Sequence, residues 1–145
     1  LTGEIIADAR HLPPSLLRYI YKTLGPDKVA LVTDALRGAG RTSGTMIIGS
    51  LSNGYEVIIE DGVAKLPDRS AFAGSIATTD VLVRNMMTYA SAPITDAVRM
   101  ATLTPAKIVG MKNKGILRPG ADADIVVFDG DVNVDSVFIG GKQVK

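Results

Sequence analysis

Asp34 and His11 are the residues whose types and positions could do chemistry. Asp34 follows the apolar run Val29-Ala30-Leu31-Val32. A short β-branched run of this kind reads as a buried strand, and Asp34 falls at its carboxyl end. In parallel α/β sheets and barrels that end is where ligands bind and catalytic side chains project. Asp34 is therefore a candidate catalytic carboxylate; the alternative is an Asp that starts an Asx-turn after a strand. A second polar strand end, Asp8-Ala9-Arg10-His11, follows the apolar centre Ile5-Ile6-Ala7. His11 is the single histidine, and there is no cysteine. Catalytic zinc sites typically use about three protein ligands rich in His, so this chain cannot build a His-rich metal site by itself. It could donate one ligand, or a supporting group, to a site completed elsewhere.

Three elements must position these residues. Residues 4–9 read as a strand. Pro13 and Pro14 then open a helix, since proline is tolerated in the first turn. Leu16, Leu17, Ile20 and Leu24 recur at helical spacing. Gly25 is expected as a left-handed cap, with Pro26 stopping the helix. Residues 28–34 form the next strand. Strand, helix, strand is a βαβ unit, normally parallel and right-handed, which puts His11 and Asp34 on one edge of the sheet.

Residues 37–54 read as a glycine-rich loop. It lacks the Gly-Lys-Ser/Thr of a P-loop; its two arginines, Arg37 and Arg41, could meet an anion or merely aid solubility. Tyr55–Glu60 and Val63–Leu66 read as a hairpin on a primed Asp61-Gly62 turn. Phe72-Ala73-Gly74-Ser75 is small enough for close backbone approach to a ligand or another element. Helices follow over 80–90, capped by Thr78 or Thr79, over Asp96–Thr102, capped by Thr95, and from Thr104-Pro105 to Gly110. From Lys114 the pattern is all β: Asp124–Asp129, then Val134–Ile139 and Lys142–Val144 around Gly140-Gly141. A boundary near residues 112–114 separates residues 1–113 from 114–145. The short strands of the second part are too few to be stable alone and should pair with others.

Composition excludes several classes. With 16 basic and 15 acidic residues, the net charge of +1 suggests no polyanion partner. Seven aromatics and no tryptophan argue against stacking platforms for nucleic acid. No apolar run of about 18 residues suggests a membrane span, and no signal peptide is recognisable. The absence of cysteine fits a cytoplasmic protein. At 145 residues the chain is too short for a complete (β/α)8 barrel, which needs roughly 200 or more. It also opens on Leu1 rather than Met, as a fragment would.

Three stretches together carry a family resemblance. Ala7-Asp8-Ala9-Arg10-His11 with its proline-started helix, Leu31-Val32-Thr33-Asp34-Ala35, and Phe72-Ala73-Gly74-Ser75 resemble, in order and spacing, the carboxyl-terminal part of N-acetylglucosamine-6-phosphate deacetylases. Gly115-Ile116-Leu117-Arg118-Pro119-Gly120-Ala121-Asp122-Ala123-Asp124 resembles the tail of the wider amidohydrolase superfamily, as does Arg99–Ala106.

The resemblance implies an α/β fold: the last part of a (β/α)8 TIM barrel over 1–113, plus carboxyl-terminal strands of a β-sandwich over 114–145. It implies Asp34 as the catalytic proton carrier. Asp8, Ala9, Arg10 and His11 match a substrate-binding turn, in which His11 would polarise the acetyl carbonyl or bind a sugar hydroxyl. Phe72, Ala73 and Gly74 match a second segment that meets the sugar. The implied cofactor is a divalent metal, zinc first, held by upstream residues in the full-length protein and not by this fragment, which is expected to be inactive alone. The implied partners are an amino-sugar phosphate substrate and a second copy in a homodimer, with no nucleic acid and no membrane. Two departures bear on substrate identity. Ala9 stands where the family has Gly, and Asp68-Arg69-Ser70-Ala71-Phe72 replaces Asp-Gly-Thr-Leu. The alternatives are an amidohydrolase of another N-acyl sugar, a dihydropyrimidine or a cyclic amide, or a truncated non-catalytic interaction module.

Overall fold

The computed structural model describes residues 1–50 and 52–145, a mixed α/β chain. β1 (Gly3–Ile5), α1 (Pro14–Leu24) and β2 (Val29–Leu31) form the expected βαβ unit, with β1 and β2 parallel and Ile5 opposite Leu31. Both strands are shorter than the spans 4–9 and 28–34 expected for them, because the chain turns out of the ladder soon after that pair. Asp8 and Asp34 each lie three positions beyond it. Since the strands are parallel, both leave by the same edge.

Leu17 is the fully buried residue of α1. Gly25 ends the helix at φ 72°, ψ 170°, donating its N–H to the Tyr21 carbonyl. This differs from the left-handed cap expected. The residue before a proline is pushed to an extended ψ, and with positive φ only glycine takes that combination easily.

The stretch 37–54, expected as a loop, contains strand β3 (Gly44–Ile48). Leu51, in the same stretch, lies outside the described residues. β3 pairs antiparallel with β4 (Tyr55–Glu60), followed by β5 (Val63–Lys65) and β6 (Phe72–Gly74) in the order β3-β4-β5-β6. Met46 stands opposite Val57, and both join a small core with Ile59, Ala64 and Ile76. Pairing and burial thus outweigh the glycine-rich flanks. The hairpin turn is as expected: Asp61 and Gly62 have φ 53° and 78°, the two positive values a type I′ turn needs.

Three helices follow: α2 (Thr79–Ala90), α3 (Ile94–Ala101) and α4 (Leu103–Ile108). Thr78 occupies the cap position of α2 without a side-chain cap bond, and α3 starts behind Pro93, so Thr95 lies inside the helix rather than capping it. Their apolar faces close the main core on α1 and β2: Leu17, Val29, Leu31, Leu82, Met86, Ala97 and Met100 are all buried there. β7 (Ile125–Phe128), β8 (Val134–Ile139) and β9 (Lys142–Gln143) form their own antiparallel sheet. They were expected to recruit other strands; among the described residues they pair with one another. Val132 and Phe128 tie this sheet to the main core, and the Arg84 guanidinium donates to the Val132 carbonyl at 2.7 Å. No described helix is long and apolar enough to cross a membrane.

Candidate active site

The loop after β1 is built around Asp8. Its Oδ1 accepts the backbone N–H groups of Arg10 and His11, each at 2.9 Å. Its Oδ2 faces His11 Nδ1 at 2.7 Å. A carboxylate that bonds the backbone two and three residues on makes an Asx-type turn, so the Asp-x-x-His spacing itself brings the imidazole back onto the acid. Ala9, between them, takes φ 60°. The position therefore keeps the left-handed backbone that glycine would adopt freely, at a cost of about 1–2 kcal/mol for a residue with a Cβ. Glycine also loses about 0.4–1 kcal/mol through its freer unfolded chain. The expected outcome for Ala9→Gly is a net gain of about 0.5–1 kcal/mol, measured as a higher urea midpoint with an unchanged slope.

The second strand end carries Asp34 at φ 45°, exposed to solvent. Asp and Asn enter this region more readily than other side chains. Asp34 makes no hydrogen bond or ion pair among the described residues. Just beyond it, Ala35 bridges Ser75, and Leu36 donates its N–H to the Ser75 carbonyl at 2.9 Å. The β6 strand and the residues after it are thereby attached beside Asp34. A Cβ on Gly74, where φ is 146°, would stand 2.9 Å from Leu36 Cγ. The close approach anticipated at Phe72–Ser75 is, at Gly74, an approach to Leu36. Gly74→Ala should destabilise by about 1–3 kcal/mol through overpacking, read as a lowered melting temperature; unchanged stability would show that Leu36 yields freely.

Phe72, half exposed on β6, reaches the first loop: its ring meets His11 edge-on, with centroids 5.4 Å apart and planes at 61°. The structure therefore brings Asp8, His11 and Phe72 together and places Asp34 on the same sheet edge. Arg10 diverges from this group. With Asp8 and Ala9 it lines a cleft of about 540 Å³ shared with Arg41, Asn85 and Tyr89, which Asp34, His11 and Phe72 do not line. The hairpin tip closes on that cleft: a Cβ on Gly62 would stand 3.3 Å from Arg10 Nε. Asn85 had no distinguishing signal in the sequence, yet its amide donates to the Ala7 carbonyl at 2.9 Å and anchors the strand end before Asp8.

The hairpin carries an ion network. Arg69 Nε lies 2.8 Å from Glu60 Oε1, and Lys65 Nζ lies 3.2 Å from Glu60 and 2.6 Å from Asp61. The Arg69 and Lys65 hydrogen bonds hold the Glu60 carboxyl below its ordinary range, and the Lys65 bond does the same for Asp61. A carboxyl with a lowered folded-state pKa contributes stability that is full above its ordinary value and lost as pH falls through the lowered one. Acidification from about pH 6 to about pH 3 should therefore lower the melting temperature. Glu60→Gln should shrink that loss, as should about 1 M salt, because these groups face solvent. A pH dependence identical in the variant would show that the network contributes nothing.

A metal site does not fit the residues present. Among the described residues no three His, Cys, Asp or Glu side chains stand close enough to hold an ion. The one imidazole already turns Nδ1 to Asp8.

Comparison with known proteins places the chain in a family. Residues 2–144 match the model of the amidohydrolase family. The chain is 35% identical over 141 residues to human N-acetylglucosamine-6-phosphate deacetylase, covering 97% of this chain and 33% of that protein. It is 31% identical over 140 residues to an Escherichia coli N-acetylgalactosamine-6-phosphate deacetylase, covering 96% and 36%. Among solved structures, a Mycobacterium smegmatis N-acetyl-D-glucosamine-6-phosphate deacetylase variant in complex with N-acetyl-D-glucosamine-6-phosphate superposes with a TM-score of 0.88 at 32% identity, over 99% of this chain and 38% of that one. The Thermotoga maritima enzyme gives 0.87 at 28% identity, over 99% and 38%. The chain thus spans about a third of the length of these relatives. Its relatives are amidohydrolase enzymes, and the chain itself belongs to the amidohydrolase family.

Proposed function

We propose that this chain is the carboxyl-terminal part of a metal-dependent amidohydrolase that removes the N-acetyl group from an amino-sugar 6-phosphate, N-acetylglucosamine 6-phosphate first. The observation that carries the reading is the shared edge of β1 and β2. Asp34 and the Asp8–His11 turn leave a parallel strand pair side by side, and β6 sets Phe72 against His11. Residues 1–113 would supply the last strands of a (β/α)8 barrel, and 114–145 strands of an accessory β-sandwich. Asp34 would take the proton of the attacking water and return it to the leaving amine nitrogen. A carboxylate that exchanges a proton with reacting groups in this way is general acid–base catalysis. His11 and Phe72 would hold the sugar. A divalent metal, zinc first, would be held by residues of the longer protein, since the described residues hold no group of three donors for it. A homodimer is the proposed assembly.

The test is acetate release by the protein carrying the upstream residues. Substrates should include N-acetylglucosamine 6-phosphate, its galactosamine epimer and unphosphorylated N-acetylglucosamine. Release from the first at the highest kcat/KM is expected. Preference for the epimer would reassign the sugar, and release from neither phosphorylated sugar would end the deacetylase reading.

A further inference from the structure

Asp8 is the one buried carboxylate among the described residues, its side chain 2% exposed. A buried charge is costly unless it is fully bonded, and Asp8 meets this inwardly. Oδ1 takes two backbone N–H groups, from Arg10 and His11, and so fills both its lone pairs. Oδ2 is left for the His11 ring, at 2.7 Å. An ionised carboxylate only accepts hydrogen bonds. The ring nitrogen facing it must therefore carry the proton, and the bond made by one nitrogen sets the role of the other. Phe72 packs edge-on against the same ring and limits its swing.

We infer that Asp8 is a positioning residue that fixes His11 as the Nδ1–H tautomer, so that the neutral ring offers Nε2 to substrate as a hydrogen-bond acceptor. An acceptor takes the proton of a sugar hydroxyl and gives nothing to an acetyl carbonyl oxygen. Of the two roles the family resemblance leaves open for His11, hydroxyl binding is the one this turn prepares. Asp8 acts through His11 and does not touch substrate itself. The hydroxyl rests on the deacetylase reading above; the tautomer does not.

His11 is the only histidine of the chain, so imidazole ¹⁵N labelling yields a single ring. Two-bond ¹H–¹⁵N correlation, at a pH where the ring is neutral, should show Nδ1 protonated and Nε2 bare. Asp8→Asn should invert this. The two backbone N–H groups claim the amide oxygen at the Oδ1 position, which turns the amide NH₂ toward Nδ1 and moves the ring proton to Nε2. Replacing a buried Asp behind a catalytic His by Asn is known to keep geometry while reversing the tautomer. An Nε2–H ring in the unsubstituted chain, or the averaged signal of a mobile imidazole, would overturn the inference without any variant; so would an Asp8→Asn ring that keeps Nδ1–H. In the longer protein, one of the two monodeoxy analogues at the 3- and 4-positions should lose about tenfold in kcat/KM, one hydrogen bond's worth. Asp8→Asn should add no further loss on that analogue. Equal rates on both analogues would remove the hydroxyl assignment and leave the tautomer result standing.

Discussion

Asp34→Asn, made in the protein that carries the upstream residues, should reduce turnover of the amino-sugar phosphate by about 10³-fold while leaving the melting temperature within about 1 °C. The side chains have the same shape, and Asn cannot take a proton at neutral pH. The backbone argues for this variant over alanine. Asp34 sits at φ 45°, a region Asn enters as readily as Asp and alanine does not. Nothing in the described structure hydrogen-bonds to the Asp34 carboxylate, so no packing or ion pair is lost with its charge. A loss of rate would therefore report proton transfer and not folding. Rates like those of the unsubstituted enzyme would remove Asp34 from its role.

Leu17→Ala should destabilise the chain by about 3–4 kcal/mol, within the range for Leu→Ala in closed cores. Leu17 is 0% exposed and is the one fully buried side chain of α1. It carries the contact of that helix with β2 and α2 through a core that also includes Val29, Leu82 and Met86. Without it α1 loses its anchor, and the Asp8–His11 turn that leads into α1 loses its support. Leu16 is the control: one position earlier and 37% exposed, its truncation should cost under about 1 kcal/mol. Urea denaturation distinguishes the two, and equal midpoints would show that the core collapses around the missing side chain.

Local chemistry explains which parts of this architecture could be read in advance. Pro14, the Leu17–Leu24 spacing and Gly25 mark a helix through backbone constraints that act within a few residues. Asp61-Gly62 marks a primed turn for the same reason, and both appear where expected. β3 was not legible. Thr45, Met46, Ile47 and Ile48 favour a strand, but the glycines and serines around them read as loop until Val57 is placed opposite Met46. β6 is three residues long and exists only because β5 is there to pair with. Gly25 departs from the usual left-handed cap because Pro26 forces the residue before it to an extended ψ.

At the site, the two polar strand ends were legible because parallel pairing follows from the βαβ order. The separation of roles inside the first loop was not. Asp8, Ala9, Arg10 and His11 are consecutive and were grouped as one binding turn. Asp8 is folded inward onto the imidazole, Ala9 carries the turn, and Arg10 lines with both of them and Arg41 a cleft that His11 does not line. Burial separates these residues, and burial is a property of what packs around the loop: Asn85 on α2 and Phe72 on β6, each more than 60 positions away.

The central claim is that this chain supplies the proton-carrying carboxylate and the sugar contacts of a deacetylase completed by residues outside it. Acetate release from N-acetylglucosamine 6-phosphate, measured in parallel for the 145-residue chain and for the protein with its upstream residues, tests it most directly. The account predicts release by the longer protein and none by the chain alone. Release by the chain alone would contradict it, and so would silence from both.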